Sequence, residues 1–332
     1  MKLKQGLLRW LFPLSWSPLA LLLVSCSARD PQNTLAAAGL IAQKQQDLFW
    51  LIIGIAAIVF VLVEGLLLIT VLRFRRRPGQ GMPPQTHGNT RLEIAWTIAP
   101  ALILVVIAVP TVTTIFDTAT TPPVALRVNV IGHQWWWEFE YPDLGVVTAN
   151  ELHIPTGEAI ALALTTKDVI HSFWVPKLAG KTDLIPSRVN HMWIKSDVAG
   201  AYLGQCAELC GIQHALMRLQ VIVQSRGEFD AWVKAQRAPG APPPGELSGT
   251  ITQCFACHTI QGVPGAVGKL GPDLTHMASR STIVSGYLDN TPDNLKQWLE
   301  TPQSLKQGAL MPNMNLNPSQ VAALVDYLQT LK

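Results

Sequence analysis

The sequence predicts a membrane-anchored multidomain protein with a two-helix transmembrane hairpin, a β-sandwich or Greek-key domain, and an all-α domain. Three observations support this. Two apolar runs are long enough to span a bilayer, a stretch of about 100 residues consists of short β-type runs, and the C-terminal part carries helix-starting signals. With 48% hydrophobic and 14% charged residues, the chain is too apolar for a soluble protein and too polar for a polytopic transporter.

Residues 1–25 have the features of a secretory signal peptide. A basic start precedes the apolar run Leu19–Val24. Ser25 immediately before Cys26 resembles the cleavage box of bacterial lipoproteins, so we expect lipid attachment at Cys26. The alternative is an uncleaved signal anchor in which Cys26 has no special role.

Residues 26–120 contain the predicted hairpin, with helices at about 48–72 and 94–115. The loop between the helices is rich in arginine, and the positive-inside rule places such a loop in the cytoplasm. We therefore expect a two-pass protein of a bacterial cell membrane, with both C-terminal domains on the outer (periplasmic or extracellular) face. The arginines are Arg73, Arg75, Arg76, Arg77 and Arg91.

Residues 121–237 change to a β-type pattern and form the second predicted domain. Short runs rich in β-branched and aromatic residues alternate with turn material. The pattern favours a small β-sandwich or Greek-key barrel, followed by a helix that begins at a capping box, Ser225–Glu228. The predicted strands are 126–130, 135–141, 159–165, 191–194 and 219–223.

The proline-rich segment 238–245 predicts a semi-rigid spacer, because its composition cannot form a core. Residues 246–332 follow as the all-α domain. Two of its helices are expected to begin at Thr291-Pro292 and Asn317-Pro318, where a capping residue precedes proline at the first helical position. The length suits one helical domain folded around a cofactor.

Two cysteines, two histidines and a methionine predict a metal site in the β domain. Cys206, Cys210 and His214 are spaced by four in one loop, and His171 comes from a separate strand end. A structural zinc site would also accept two cysteines and two histidines. Met217 favours copper, because a thioether is a soft, weak ligand that tunes copper potentials and that zinc does not need.

The motif Cys-Phe-Ala-Cys-His, formed by Cys254, Cys257 and His258, is typical of covalent c-type haem attachment. Both thiols would form thioethers, and His258 would bind the iron. A redox-active dithiol is the alternative, but the histidine and the lack of a thioredoxin-type βαβ pattern argue against it. The second axial ligand is expected to be Met311, in a Met-Pro pair before the last helix, with Met314 as the alternative.

Residues 206–217 closely resemble the binuclear copper loop of cytochrome c oxidase subunit II; they read Cys-Ala-Glu-Leu-Cys-Gly-Ile-Gln-His-Ala-Leu-Met. The resemblance runs through most of residues 45–235. It implies a cupredoxin domain, and the haem motif adds a resemblance to the caa type, in which a class I cytochrome c domain is fused at the C-terminus. Other matching runs are 93–100, 132–137, 168–176 and 181–186.

Position by position, the resemblance implies a centre of two copper ions. Two thiolates would bridge both ions, one imidazole would bind each ion, and a thioether and a backbone carbonyl would complete one ion each. The side chain of Glu208 would also reach a magnesium ion at the contact with subunit I. In that order, the copper ligands would be Cys206 and Cys210, His171 and His214, Met217, and the carbonyl of Glu208.

The resemblance also assigns roles to two residues that bind no metal. It makes Trp135 the point of electron entry, although core packing is the alternative for at least one of Trp135, Trp136 and Trp137. In a strand, Trp135 and Trp137 would share one face. It places Glu93 at the cytoplasmic mouth of a proton pathway into subunit I. One departure is Arg218, where the family commonly has proline; it removes no ligand.

These features predict the electron-transfer subunit II of a haem–copper terminal oxidase, with no catalytic residue of its own. Electrons would pass from haem c to the copper pair and on to subunit I, where oxygen is reduced to water with proton pumping. Expected partners are subunits I and III, the membrane and a respiratory-chain donor; the net charge of +3 gives no reason to expect nucleic-acid binding. The alternatives are subunit II of a copper-containing nitric oxide reductase and a non-catalytic copper-delivery lipoprotein.

Overall fold

The computed structural model describes residues 30–332 except Arg77, Gln80, Pro83 and Ala125. The predicted signal peptide and Cys26 lie outside the described residues. The described part contains a helical hairpin, a β-sandwich and a C-terminal domain of short helices. The predicted fold class is confirmed.

Two long helices form the hairpin, α1 (Leu40–Arg73) and α2 (Thr90–Ala119). Both are long and apolar enough to cross a membrane, and their apolar stretches are not buried within the chain. Both helices extend beyond the predicted ranges, 48–72 and 94–115, at each end.

The early start of α1 has a physical cause, because its first turns pack on the β domain instead of lying in lipid. Ile41 and Ala42 are buried there, and the N–H of Leu40 donates to the carbonyl of Lys195 at 2.9 Å. The preceding Gly39 lies so close to the backbone of Leu178 that any Cβ would collide with it. The domain therefore sits directly on the helix.

The second helix is also joined to the β domain. Its N-terminus is capped by Asn89, whose side chain accepts hydrogen bonds from the N–H groups of Arg91 and Leu92. Near its other end, the indole of Trp193 donates to the carbonyl of Thr118 at 3.0 Å. Two points of attachment fix how the β domain stands on the hairpin.

Ten strands form two five-stranded sheets, in the orders β3-β2-β1-β5-β8 and β4-β10-β9-β6-β7. Alternating burial along β5 shows one face of its sheet packed inward. The strands are β1 Leu126–His133, β2 Trp136–Tyr141, β3 Val146–Ala149, β4 Glu151–Pro155, β5 Ile160–Thr166, β6 His171–Trp174, β7 Thr182–Leu184, β8 Asn190–Ile194, β9 Gly200–Cys206 and β10 Arg218–Gln224.

The strand prediction for residues 135–141 is wrong at its first residue. His133 pairs with Trp136 across the β1–β2 hairpin, so Trp135 lies in the two-residue turn. Trp135 and Trp137 therefore do not share one face of a strand. Trp137 is fully buried in the sandwich core, whereas Trp135 stands at the end of the domain, beside the loop that precedes β10.

The helix α3 (Arg226–Gln236) closes the β domain and begins at the predicted capping box of Ser225 and Glu228. The proline-rich segment after it was expected to be a semi-rigid spacer, but it packs against the C-terminal domain. The N–H of Gly240 donates to the carbonyl of Gln261 at 2.8 Å, and the hydroxyl of Tyr327 donates to the carbonyl of Ala241 at 2.7 Å. The segment is held against the C-terminal domain.

The C-terminal domain has its own hydrophobic core, separate from that of the sandwich. The predicted caps are present: Thr291 accepts a hydrogen bond from the N–H of Asn294, and Asn317 accepts one from that of Gln320. A short two-stranded ladder interrupts the helices. The elements are α4 Ser248–Ile251, β11 Thr282–Ile283, β12 Leu288–Asp289, α5 Pro292–Glu300, α6 Pro302–Leu305 and α7 Pro318–Leu328.

Candidate metal and haem sites

The structure brings the predicted copper ligands together at one end of the second sheet. His171 opens β6 and Cys206 closes β9, and these neighbouring strands pair through Phe173. Cys210 follows in the next loop. The two cysteine sulfurs lie 3.7 Å apart, and Nδ1 of His171 lies 3.9 Å from the sulfur of Cys206. All three ligand residues are buried.

The same loop brings three further groups to these sulfurs. Nδ1 of His214 lies 3.8 Å and the sulfur of Met217 lies 3.9 Å from the sulfur of Cys210. The carbonyl oxygen of Glu208 lies 3.2 Å from the sulfur of Cys206. The other four groups expected to bind copper thus surround the two cysteine sulfurs.

The donor set fits copper. A separation of 3.7 Å between the sulfurs is too long for a disulfide, about 2.05 Å, and is readily spanned by a metal ion with metal–sulfur bonds of about 2.3 Å. Thiolate and thioether donors are soft ligands of the kind that copper prefers, and imidazole also suits copper. The thioether of Met217 is fully buried, so it is available to a metal ion and not to solvent.

The two thiols are electrostatically coupled. A hydrogen bond from Cys210 lowers the pKa of Cys206 below its ordinary value. The same contact, together with burial, raises the pKa of Cys210, because a second negative charge beside the first is unfavourable. Cations bound to both sulfurs would remove this repulsion, and thiolates are the form that binds metal.

Asp168, which was not among the predicted site residues, orients His171. One carboxylate oxygen of Asp168 accepts from Nε2 of His171 at 2.8 Å, and the other accepts from the N–H of Gln134 at 2.6 Å. Burial alone would lower the pKa of His171, but the Asp168 carboxylate holds it above its ordinary value. Nδ1 is left free to face Cys206. The sequence feature that could have identified Asp168 is its position three residues before the predicted ligand His171.

Trp135 lies directly on the copper loop. Its indole N–H donates to the carbonyl of Cys210 at 3.0 Å, and the side-chain amide of Gln134 donates to the same oxygen at 2.7 Å. Gly211 has a φ of 119°, and a Cβ there would lie 2.9 Å from the indole ring. Glycine therefore permits the close approach of loop and ring.

The haem motif lies in a short 3-10 segment and the turn that follows it. Cys254 and Cys257 are both free of disulfides. Nδ1 of His258 donates to the carbonyl of Pro272 at 2.7 Å. Because a carbonyl can only accept, Nε2 keeps its lone pair for a metal ion. Burial lowers the pKa of His258, which favours this neutral form.

Two further observations fit a haem beside His258. Gly271 lies so near the imidazole that a Cβ would collide with it, so the ring is closely backed on that side. Arg280 is half-buried, and its buried Nε has no hydrogen-bond partner within the part of the chain that the structure describes. An anionic propionate would supply that partner.

The two candidate axial methionines differ in packing. Met311 contacts the core of the C-terminal domain, and its carbonyl accepts a hydrogen bond from the side chain of Gln303 at 2.8 Å. Met314 is not among the residues packed against that core. The difference favours Met311.

Replacing Met311 by leucine is expected to leave the haem attached and to lower its reduction potential, because a thioether ligand raises the potential of the iron. A redox titration of the purified protein would measure the shift. Met314→Leu is the matched control and should leave the potential unchanged. If only Met314→Leu shifts the potential, Met314 is the ligand.

Glu93 stands apart from both sites. It lies in the first turn of α2, at the end of the helix that is remote from the β domain. With a rise of 1.5 Å per residue, Glu93 is about 40 Å along the helix from Ala119. Its expected role belongs to the opposite side of the membrane from the copper ligands.

Three family models match consecutive parts of the chain. Residues 31–114 match the transmembrane domain of cytochrome c oxidase subunit II, residues 145–225 match its periplasmic domain, and residues 249–332 match cytochrome c. A cytochrome c oxidase subunit 2 of Alkalihalophilus pseudofirmus is 39% identical over 346 residues, covering 100% of this chain and 99% of the relative. The chain belongs to the cytochrome c oxidase subunit 2 family.

Two further relatives and one solved structure are similar to different shares of the chain. The cytochrome c oxidase subunit 2 of Bacillus subtilis is 34% identical, with 94% of this chain and 95% of the relative covered. A quinol oxidase subunit 2 of Bacillus cereus is 32% identical, with 79% and 89% covered. A crystal structure of the periplasmic domain of subunit II of the Bradyrhizobium japonicum cytochrome oxidase is 33% identical and covers 36% of this chain and 97% of that chain, with a TM-score of 0.35.

Membership of the cytochrome c oxidase subunit 2 family gives each C-terminal domain its cofactor. The β domain carries the binuclear copper centre and the C-terminal domain carries haem c, and the donor groups described above fit both. The chain is a two-pass membrane protein that works with other oxidase subunits.

Proposed function

We propose that electrons enter this chain at the cytochrome c domain, pass Trp135 into the copper domain, and leave toward subunit I. There oxygen is reduced to water, coupled to proton pumping. One-electron transfer is the chemistry that haem and copper supply when bound. One observation carries the route: Trp135 touches both domains. Its indole donates to Cys210, and its backbone carbonyl accepts from Lys306 of the cytochrome domain at 2.7 Å.

In this proposal the residues of each site have separate tasks. Cys206 and Cys210 would hold the copper centre through their thiolates, and the centre would supply one-electron transfer. His258 and Met311 would hold the haem iron, and thioether bonds to two cysteines would fix the haem to the chain. The remaining copper ligands are His171, His214, Met217 and the carbonyl of Glu208; the haem cysteines are Cys254 and Cys257.

In this proposal, the hairpin determines which face of the membrane each domain occupies, and the chain contacts other oxidase subunits. The arginine-rich loop between α1 and α2 lies in the cytoplasm, which places the copper and cytochrome domains on the outer face. The partners are subunits I and III. Glu208 binds a magnesium ion shared with subunit I, Glu93 lies at the entrance of a proton pathway, and Cys26 carries a lipid that adds a further tether.

The metal-binding residues of the chain bear on which electron donor the oxidase uses. The relatives include both cytochrome c oxidase and quinol oxidase subunits, so overall similarity does not choose between them. This chain keeps a complete set of copper-binding groups and a complete haem attachment motif. These favour an electron path through haem and copper over direct oxidation of quinol, and the names of the relatives favour an oxidase over a nitric oxide reductase or a copper-delivery protein.

Rapid mixing of the purified oxidase with a one-electron donor tests the route. We expect haem c to be reduced first and the copper centre second, and we expect the second step to be independent of protein concentration because donor and acceptor belong to one chain. Stopped-flow spectra resolve both steps. Copper reduction that precedes haem c reduction, or a second step that accelerates with protein concentration, would contradict the proposed route.

A further inference from the structure

The cytochrome domain contacts the copper domain through two buried charged side chains, one from each domain. Glu151 begins β4 of the copper domain and is 3% exposed. Its carboxylate accepts from the N–H and the hydroxyl of Ser281 at 2.7 and 2.6 Å and from the N–H of Thr282 at 3.2 Å. A carboxylate of one domain is thus satisfied by donors of the other.

Lys306 makes the reverse contact. It belongs to the cytochrome domain and is also 3% exposed. Its ammonium group donates to the carbonyl of Trp135 at 2.7 Å, to the carbonyl of Leu216 at 3.1 Å, and to the hydroxyl of Ser285 at 2.9 Å. That hydroxyl in turn donates to the carbonyl of Trp135 at 2.6 Å. All three N–H donors of the lysine are used, two of them on the copper domain.

Such groups are costly to bury unless they are fully paired, and removing one partner leaves an uncompensated buried charge. Burial lowers the pKa of Lys306 to about 7. Burial opposes ionisation of Glu151, but His153 and Ser281 hold its pKa below the ordinary value. Both side chains find their full set of partners only when the two domains meet in this one orientation.

The orientation brings the chain next to Lys306 onto the copper loop. The side-chain amide of Gln213 donates to the carbonyl of Gln307 at 2.7 Å. A Cβ on Gly308 would collide with Ile212 and would lie 3.8 Å from the Trp135 ring. Residues 306–308 precede Met311, the proposed haem ligand, by only a few positions.

The departure at Arg218 belongs to the same interface. Its N–H donates to the carbonyl of Ser285 at 3.0 Å, and its guanidinium lies 5.8 Å from the centre of the Tyr287 ring. Proline, which commonly follows the ligand methionine in the resembled family, has no N–H and could make neither contact. The residue at 218 is therefore suited to a chain whose cytochrome domain rests on its copper domain.

We propose that Lys306 and Glu151 are positioning residues that hold the cytochrome domain in one docked orientation, with its axial-ligand segment against Trp135. The inference rests on the proposed route of electrons. It identifies the contacts that keep the haem site and the copper site aligned. The bound domain also covers Trp135, which is only 9% exposed. The proline-rich segment 238–245 is then not what sets the rate of electron transfer between the haem site and the copper site.

The test uses the complete oxidase carrying Lys306→Met or Glu151→Gln. We expect electron transfer from haem c to copper, followed by stopped-flow absorption, to slow at least tenfold in Lys306→Met and by a smaller factor in Glu151→Gln. The copper EPR signal and the haem c potential should be unchanged. Lys296→Met, at an exposed position on α5, removes the same charge and should behave as the unmodified protein.

Amide hydrogen exchange gives a readout that does not depend on electron transfer. We expect the amides of Arg218, Ser281 and Thr282 to exchange at least tenfold faster in both variants and normally in Lys296→Met. If Lys306→Met prevents assembly, Ser285→Gly carries the test, because glycine suits the φ of 59° at that position and removes only the linking hydroxyl.

Transfer within twofold of the unmodified rate, or unchanged exchange, would overturn the assignment. Failure of the proposed route gives a different result. In that case the unmodified oxidase itself shows no transfer from haem c to copper, while the exchange protection of the interface and its loss in the variants persist.

Discussion

Replacing Cys206 or Cys210 by serine is expected to abolish the copper centre and to reduce oxygen consumption to background. Each sulfur is close to the other and to separate imidazole ligands, so each thiolate is expected to bridge both metal ions. A serine hydroxyl is a hard, protonated donor and replaces this role poorly. The loss should exceed the roughly 10- to 100-fold typical of changes to residues behind metal ligands.

Copper analysis and EPR spectroscopy of the purified variants give the direct measurement. Covalent haem should remain, because the haem cysteines lie in a domain with a separate core. Leu209→Ala is the matched control, since Leu209 is in the same loop but is 79% exposed and should not alter copper content. A two-copper EPR signal that survives either serine substitution would disprove the bridging role.

Replacing Cys254 and Cys257 together by alanine is expected to remove the haem and to leave the copper centre in place. No thioether can form, so the haem should be lost from the purified protein and oxygen consumption driven by the physiological donor should fall to background. The copper EPR signal should persist, because all copper-binding groups lie between residues 171 and 217. Because the cytochrome domain covers Trp135, an external donor cannot reach the copper domain directly at this residue.

Haem content measured on denaturing gels, together with oxygen uptake, tests this expectation. Ala256→Ser is the matched control, because Ala256 is exposed and occupies a variable position within the motif. Normal donor-driven oxygen uptake by the haem-free double variant would show that electrons enter the chain elsewhere.

The spacing of residues in the sequence predicted the groups of candidate ligands more completely than it predicted the strands. Cys206, Cys210 and His214 follow one another in a single loop, and the haem motif is continuous, so few residues specify each donor set. Five strands, β3, β4, β6, β7 and β9, lie outside the predicted strand ranges. Polar residues and glycines weaken the alternation in β4 and β9. Their conformation is set by pairing with β10, which lies elsewhere in the chain.

The contacts between domains could not be predicted from spacing. Lys306 and Trp135 are 171 positions apart, and nothing in the sequence near Lys306 distinguishes it from an exposed lysine. The same limit applies to Glu151, whose donors lie 130 and 131 positions away. Composition also misjudged the proline-rich segment, because the partners of Gly240 and Ala241 belong to the domain that follows.

The unbroken path of α1 from the copper domain into the membrane has a geometric consequence. Each residue of an α-helix adds 1.5 Å of height and about 100° of rotation. One extra residue in α1 between Ala42 and the apolar stretch would by itself turn the copper domain by about 100° relative to the bilayer, but α2 opposes that turn through the hydrogen bond between Trp193 and Thr118. The number of residues in this short stretch of α1 must therefore match the attachment at the end of α2, and the two helices together set the height of the copper ligands above the membrane and the direction they face.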